Sequence, residues 1–174
     1  SPADLFITVD AGRLQRAKQA GVLQAIDNPT LKRRIPKSLR DRDNYWFGLS
    51  QRARTIIYNK NLVNAEDLST YENLASPVWK GQLCIRSSDS IYNQSLVASM
   101  IEVNGIKKTE SWARNLVSNF ARPPTGGDTD LLKATAAGQC GIALANTYYL
   151  GRLINSKNNE EKIAAQNLAV FWPN

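Results

Sequence analysis

Two adjacent tyrosines, Tyr148 and Tyr149, stand in the stretch ANTYYLGRL, directly after the apolar run CGIALA. Neighbouring side chains point to opposite sides of a strand and do not share one face of a helix. Two adjacent phenols therefore converge on one point only where the backbone turns. Because the apolar run favours a buried strand, we expect that turn at its carboxyl end. The pair is then either an aromatic helix start packed on the core or a pair of ligands.

A third tyrosine and two cysteines share one spacing. Tyr92 precedes Tyr148 by 56 residues, and Cys84 precedes Cys140 by the same 56 residues. If the strands that carry the cysteines begin at one level of a sheet, the cysteines lie near each other and so do the tyrosines. The two cysteines then form either a disulfide, which requires an oxidising compartment, or two buried free thiols.

Three phenols in one place would suit a ferric ion. A free phenol has a pKa of about 10, so phenolates at neutral pH need a strong positive charge nearby. A bound metal deprotonates its ligands, and Fe(III) accepts tyrosine oxygen, as in the haem iron of catalase. Arginines would lower the phenol pKa values further, and the candidates are Arg52 or Arg54, and Arg152. Tyrosines that cap a core or hydrogen-bond to the backbone are the commoner alternative.

The composition limits the chemistry of the chain. Its 174 residues include no histidine and two cysteines. These numbers exclude Ser-His-Asp triads, Cys-His pairs, histidine-containing zinc sites and a four-thiolate cluster. A metal site must therefore use oxygen ligands and hold a hard cation. Asp128 and Asp130 are better explained as helix-cap residues than as a catalytic carboxylate pair, so we do not expect an enzyme.

The net charge of +7 raises the question of an anionic partner. The basic residues are scattered and are not interleaved with aromatic residues, so we expect solvated surface and no nucleic-acid binding. An alternative function for the same fold is binding of a small anion, such as phosphate or an organic acid. The backbone amides of TGGD at a helix start could contribute. The side chains for such an anion would be Arg52, Arg152, Asn93 and Asn146.

The periodicity predicts alternating strands and helices. Strands are expected over DLFITV (4–9), in YWFGLS and TIIYN within 44–59, over QLCIR (82–86), over CGIALAN and over LAVFWPN. Helices are expected after Asp10, after a polar loop that follows QLCIR, over 107–121, in DTDLLKATAAG with Asp128 or Thr129 as its cap, from Tyr148 onward and over 158–166. This order indicates an α/β fold with a parallel core, whose ligand crevice lies beyond the carboxyl ends of the strands.

Four stretches carry a resemblance to a known family. PADLFITVDAGRL, GLSQRARTIIYN, YNQSLVASMI and GGDTDLLKATAAGQCGIALANTYYLGRL resemble the periplasmic ferric-ion-binding proteins of bacterial ABC iron importers. The resemblance is nearest to the cyanobacterial-type branch, which binds iron mainly through tyrosines. It covers nearly the whole chain, and its most specific part is the Tyr-Tyr pair preceded by Ala-Asn and followed by Leu-Gly-Arg.

The resemblance implies a periplasmic binding protein-like fold of type II, with two α/β lobes and iron in the cleft between them. Family members are about twice as long, and this chain opens Ser1-Pro2 without a methionine, so we expect a processed chain or an internal fragment. It implies that 1–50 is the end of the first lobe, 51–59 a hinge strand region, 60–167 the second lobe and 168–174 a return hinge strand.

The resemblance also implies roles for single residues. Tyr92, Tyr148 and Tyr149 match the second-lobe iron ligands, and Arg52 and Arg152 match arginines near the metal. The remaining ligands of the family come from the first-lobe part before Ser1. The implied function is periplasmic binding of Fe(III), in some members together with a synergistic anion. The implied partner is the ABC transporter permease in the inner membrane.

Overall fold

Four strands form one mixed sheet in the computed structural model of the chain, which describes residues 3–173. The strands are β1 (Arg54–Asn59), β2 (Leu83–Cys84), β3 (Ile142–Asn146) and β4 (Leu168–Phe171), in the order β2-β3-β1-β4. The α-helices of these residues are α1 (Ala11–Gln19), α2 (Pro29–Arg34), α3 (Ile91–Asn104), α4 (Ile106–Ser118), α5 (Asp128–Ala136), α6 (Thr147–Ile154) and α7 (Asn159–Gln166). Residues 1, 2 and 174, at the ends of the predicted segments 1–50 and 168–174, lie outside the described residues.

The chain divides into two units between Gln51 and Arg52. The unit before this point contains α1 and α2. Asp10 caps α1 as predicted, and its Oδ1 accepts a hydrogen bond of 2.9 Å from the Gly12 backbone N–H.

Two strands predicted in the first unit are wrong. Residues 4–9 form no strand within the described part of the chain, and the side chains of Leu5 and Ile7 are 78% and 82% exposed. In YWFGLS only Phe47 makes a strand-like pairing, an isolated bridge to Arg40. An apolar β-branched run favours a strand, but the strand exists only when a neighbouring strand accepts its backbone hydrogen bonds.

The predicted parallel core is also wrong for most of the sheet. Among the described strands β2 and β3 are parallel, with Cys84 opposite Ala143. β1 pairs antiparallel with β3 on one side and with β4 on the other. A continuous apolar run indicates that both faces of a strand are covered. Burial of both faces does not determine whether the neighbouring strands run parallel or antiparallel.

Helices and turns cover both faces of this sheet. Along β1, Ile56 and Ile57 are fully buried in two different hydrophobic clusters, because successive side chains of a strand alternate between its faces. The cluster around Ile57 includes Leu131 of α5 and Leu150 of α6. The cluster around Ile56 includes side chains from α3, α4 and the turns between β1 and β2, among them Met100, Trp112 and Trp79. The central strands are thereby held rigidly, which fixes the positions of the residues at their ends.

Cys84 and Cys140 form a disulfide with a Cα–Cα distance of 5.9 Å. Both residues are buried, at 1% and 2% exposure, and both belong to the cluster around Ile57. Cys84 ends β2 and Cys140 lies two residues before β3, so the bond ties together the two strands that lead to the tyrosines.

The start of α5 differs from the prediction. Its N-cap is Gly127, not Asp128 or Thr129. Asp130 keeps the predicted capping role, since its Oδ2 accepts a hydrogen bond of 2.7 Å from the Gly127 backbone N–H. Asp128 is instead fully buried, and its carboxylate pairs with Arg54 and Arg86.

Candidate functional site

Tyr148 and Tyr149 occupy the first turn of α6, immediately after β3 ends at Asn146. The chain changes there from strand to helix, which is the backbone turn that two adjacent phenols require. The two rings lie side by side, with their centroids 4.3 Å apart and their planes inclined by 31°. Both side chains are half-buried, so the phenol groups remain accessible to a ligand.

Tyr92 lies in the first turn of α3, which follows β2 after the loop 85–90. The neighbouring Asn93 fastens this loop to the helix, because its Nδ2 donates to the carbonyl oxygens of Arg86 at 2.8 Å and Ser87 at 3.2 Å. The direction of Tyr92 is thus set by side-chain bonds to the loop as well as by the helix itself.

The hydroxyl oxygens of Tyr92 and Tyr148 are 3.3 Å apart and share a hydrogen bond. The reason is the parallel pairing of β2 and β3, which brings the carboxyl ends of the two strands, and the helices that follow them, to one edge of the sheet. The structure therefore brings together all three tyrosines that the sequence singled out, from two separate helix starts.

The pKa of the Tyr92 phenol is raised above its ordinary value of 10.0. The main cause is its hydrogen bond to Tyr148, and burial of the phenol adds to it. A hydrogen bond from Tyr149 and the positive charge of Arg52 act in the opposite direction. Without a cation, the Tyr92 phenol is therefore protonated at physiological pH.

Four arginines face the tyrosine rings. The guanidinium carbons of Arg52 and Arg152 lie 5.9 Å from the ring centres of Tyr148 and Tyr149, respectively. Those of Arg54 and Arg86 lie 5.8 Å and 5.5 Å from the ring centre of Tyr92. These distances are within the range of cation–π contacts. Positive charge at this range favours ionised phenols.

A buried polar network lies beside the tyrosines. Arg54, whose side chain is 8% exposed, donates from Nη1 to Asp128 Oδ2 at 3.0 Å. Its Nη2 donates to Asn93 Oδ1 at 2.7 Å and to the Leu144 carbonyl at 2.9 Å. Asn146 Oδ1 lies 3.4 Å from Arg54 Nη1, and the Asn146 backbone N–H donates to Asp128 Oδ2 at 2.9 Å. The network joins β1, α3, α5 and the end of β3 beneath the tyrosines.

Most of these residues are among the candidates predicted from the sequence, but some of them have other partners than predicted. Arg52, Arg152, Asn93 and Asn146 all lie close to the tyrosines or in the network under them. Asp128 was predicted to cap a helix, and that prediction is wrong, because its carboxylate binds Arg54 and Arg86 instead. Arg86 was not predicted at all. The available signal was its position two residues after the apolar strand that ends at Cys84, on the loop that leads to Tyr92.

Among residues 3–173, no three histidine, cysteine, aspartate or glutamate side chains lie together as metal ligands do. In the same described stretch, no helix is both long and apolar enough to cross a membrane.

Comparison with protein families identifies one match over the whole chain. A family model described as bacterial extracellular solute-binding protein matches residues 1–174. A curated relative, iron uptake protein A1 of Synechocystis sp., is 49% identical over 174 residues, which is 100% of this chain and 48% of that protein. The Fe(3+)-binding periplasmic protein of Serratia marcescens is 29% identical over 150 residues, covering 86% of this chain and 43% of that protein.

Comparison of structures gives the same result. A Trichodesmium protein (IdiA, FutA) solved in complex with iron and citrate superimposes with a TM-score of 0.96 and 55% sequence identity, over 99% of this chain and 55% of the other. The mixed α/β architecture is therefore that of the periplasmic binding proteins for iron. The chain spans about half the length of the relatives that it matches.

Proposed function

The chain belongs to the family of bacterial extracellular solute-binding proteins, and from that premise we propose that its tyrosine cluster binds ferric iron. The observation that carries this proposal is the 3.3 Å approach of the Tyr92 and Tyr148 hydroxyls, with the Tyr149 ring packed against Tyr148. Two phenols from separate helices that meet head to head form a preorganised pair of hard oxygen ligands. Tyr149 supplies the third from the same turn.

The charges of the site fit a trivalent cation. Three phenolates, each with one negative charge, would balance the charge of Fe(III), and a hard cation prefers such oxygen ligands. The ion itself would deprotonate the phenols that bind it. Arg52 and Arg152, which face the rings of Tyr148 and Tyr149, would place positive charge beside the phenolates of the bound ion.

The function of the whole protein is part of the same proposal. We propose that iron held here is handed to an ABC transporter permease in the inner membrane, as the solute-binding component of an iron uptake system. The disulfide between Cys84 and Cys140 supports a periplasmic location, since such bonds persist in oxidising compartments. In this proposal 1–50 ends a first lobe, 51–59 and 168–174 are hinge strands and 60–167 is the second lobe. Further ligands then come from the rest of the protein.

An optical titration tests the proposal. Ferric nitrilotriacetate added to the iron-free protein should produce a visible absorption band, because electron transfer from phenolate to Fe(III) absorbs visible light. The substitutions Tyr92→Phe, Tyr148→Phe and Tyr149→Phe should each weaken or shift the band and lower the iron affinity. Metal analysis of the same samples gives the amount of iron bound.

Tyr58→Phe is the matched control. Tyr58 is a half-buried tyrosine of β1 and is not among the cluster's phenols, so this substitution should leave the band unchanged. Full iron occupancy without a visible band would contradict the proposal. So would equal loss of the band in the Tyr58 and Tyr148 variants.

A further inference from the structure

The carboxylate of Asp128 is a fully buried negative charge, with 0% of the residue exposed. Its Oδ2 accepts from Arg54 Nη1 at 3.0 Å and from the Asn146 backbone N–H at 2.9 Å, and its Oδ1 lies 3.5 Å from Arg86 Nη1. A buried charge is tolerated only when it is paired and hydrogen-bonded in this way. Asp128 is therefore held between two arginines that come from different elements, β1 and the loop after β2.

The same two arginines reach the tyrosine cluster. Arg54 and Arg86 lie 5.8 Å and 5.5 Å from the centre of the Tyr92 ring, so each guanidinium group faces Asp128 and the ligand cluster at once. Two cations this close together and largely removed from water require an anion. If the chain did not supply one, the site would have to recruit a small anion from solution.

We propose that Asp128 is a specificity-determining residue of the tyrosine site. Its carboxylate acts as an internal anion that neutralises Arg54 and Arg86, so that these arginines do not draw a free oxyanion into the site. The tyrosine cluster then remains available to bind a cation. This inference rests on the proposed function insofar as it treats the cluster as a cation site.

Two of the side chains that a small anion would need, Asn93 and Asn146, are already engaged inside the protein. Both ends of the Asn93 amide are used, Oδ1 by Arg54 and Nδ2 by the carbonyl oxygens of Arg86 and Ser87. The oxygen of Asn146 lies 3.4 Å from Arg54 Nη1, and its backbone N–H is bonded to Asp128. The carboxylate and these bonds together occupy both terminal nitrogens of Arg54, the Asn93 amide and the Asn146 backbone N–H, which would otherwise be open to an oxyanion.

The substitution Asp128→Asn tests the inference, because it keeps the shape of the side chain and removes its charge. Inorganic phosphate is the probe, titrated by calorimetry into the iron-free protein at low ionic strength. We expect phosphate to bind the D128N variant at least about tenfold more tightly than the original protein, since the uncompensated arginines then need an anion. Because no iron is used, a failure of iron binding in other experiments does not decide this result.

Asp130→Asn is the matched control. Asp130 lies on the same helix and loses the same charge, but its carboxylate is exposed and bonds to the Gly127 backbone N–H. An asparagine oxygen can keep that bond, so D130N should bind phosphate no better than the original protein. The inference is overturned if folded D128N gains no phosphate affinity, or if D130N gains as much.

A second measurement covers loss of folding in D128N. If the two arginines destabilise the variant, phosphate should restore its circular dichroism and raise its melting temperature, because a ligand that binds the folded state stabilises it. Sodium chloride at equal ionic strength should not do so. An unfolded D128N that phosphate fails to restore would overturn the inference.

Discussion

Tyr92 and Tyr148, separated by 56 residues in the chain, meet with their hydroxyl oxygens 3.3 Å apart. The position of each residue is set by its own helix. Each tyrosine lies in the first turn of a helix that follows one of two parallel neighbouring strands, and the Cys84–Cys140 disulfide joins the segments that carry these two strands. The meeting of these two phenols is therefore a product of strand pairing.

Removing the Tyr148 hydroxyl should lower the pKa of Tyr92. The hydrogen bond to Tyr148 is the main reason that the Tyr92 pKa exceeds 10.0, so Tyr148→Phe should bring Tyr92 closer to that value. The ultraviolet absorbance of phenolate, followed during an alkaline titration of the iron-free protein, measures this. Tyr58→Phe is the control, because it removes a phenol outside the cluster and should leave the pKa of Tyr92 unchanged. An unchanged or higher Tyr92 pKa in the Tyr148 variant would refute the prediction.

The raised Tyr92 pKa also has a consequence for stability at high pH. The folded state holds the Tyr92 proton more tightly than the unfolded chain does. This tighter binding therefore adds to the free energy of unfolding, and the addition is fully present below pH 10.0. It is lost as the pH rises through the pKa of the folded state. Urea unfolding at alkaline pH should therefore show a smaller decline of stability in Tyr148→Phe than in the original protein.

Iron binding should release protons near neutral pH. Each phenol must lose its proton to become a ligand, so a site of three tyrosines should release about three protons per ferric ion. A pH-stat measurement during addition of ferric nitrilotriacetate counts them, after subtraction of the release by the chelate alone. Tyr148→Phe should release about one proton fewer, whereas Tyr58→Phe should match the original protein. Release of fewer than about two protons by the original protein would exclude three phenolate ligands.

The arginine beside Tyr149 should strengthen iron binding modestly. Arg152→Gln removes a cation whose guanidinium carbon is 5.9 Å from the ring centre, and we expect the affinity for iron to fall by about fivefold, or about 1 kcal/mol. Arg114→Gln is the control, because Arg114 is an exposed helix residue paired with Glu110 on α4. Competition with a chelator gives both affinities. Equal affinities in the two variants would show that Arg152 has no special role.

The disulfide should stabilise the fold without taking part in ligation. The double substitution Cys84→Ala and Cys140→Ala should lower the free energy of unfolding by about 2–4 kcal/mol, because the bond closes a long loop. Urea unfolding measures this, and reducing agent should destabilise the original protein but not the double variant. Under conditions where both proteins are folded, the visible band of bound iron should be the same. No difference in unfolding free energy would contradict the prediction.

Several elements were predictable because their signals are local. The helices α1 and α7 are capped by Asp10 and Asn158, whose side chains accept hydrogen bonds from backbone N–H groups of the first turn. The strand β3 lies inside the run CGIALAN that predicted it, and β1 covers TIIYN and begins one residue earlier, at Arg54. Capping and strand propensity act over a few residues, and the sequence displays them directly.

The failed strand predictions concern long-range pairing. Residues 4–9 have the composition of a strand but make no strand pairing within the described residues. The same limit applies to the direction of β1, which is antiparallel to both of its neighbours. Composition reports burial, whereas pairing depends on which other segments are present and where the chain brings them.

By itself the sequence determined the kind of chemistry available. A chain with no histidine leaves oxygen ligands for any metal site, and two adjacent phenols after a buried strand require a turn. Tertiary structure alone decided which groups meet. Arg54 reaches Asp128 across 74 residues and Asn146 across 92, and that buried network turned a predicted helix cap into the counter-ion of two arginines. The physical reason is that a buried charge must find its partner in space, and no local pattern in the sequence encodes that distance.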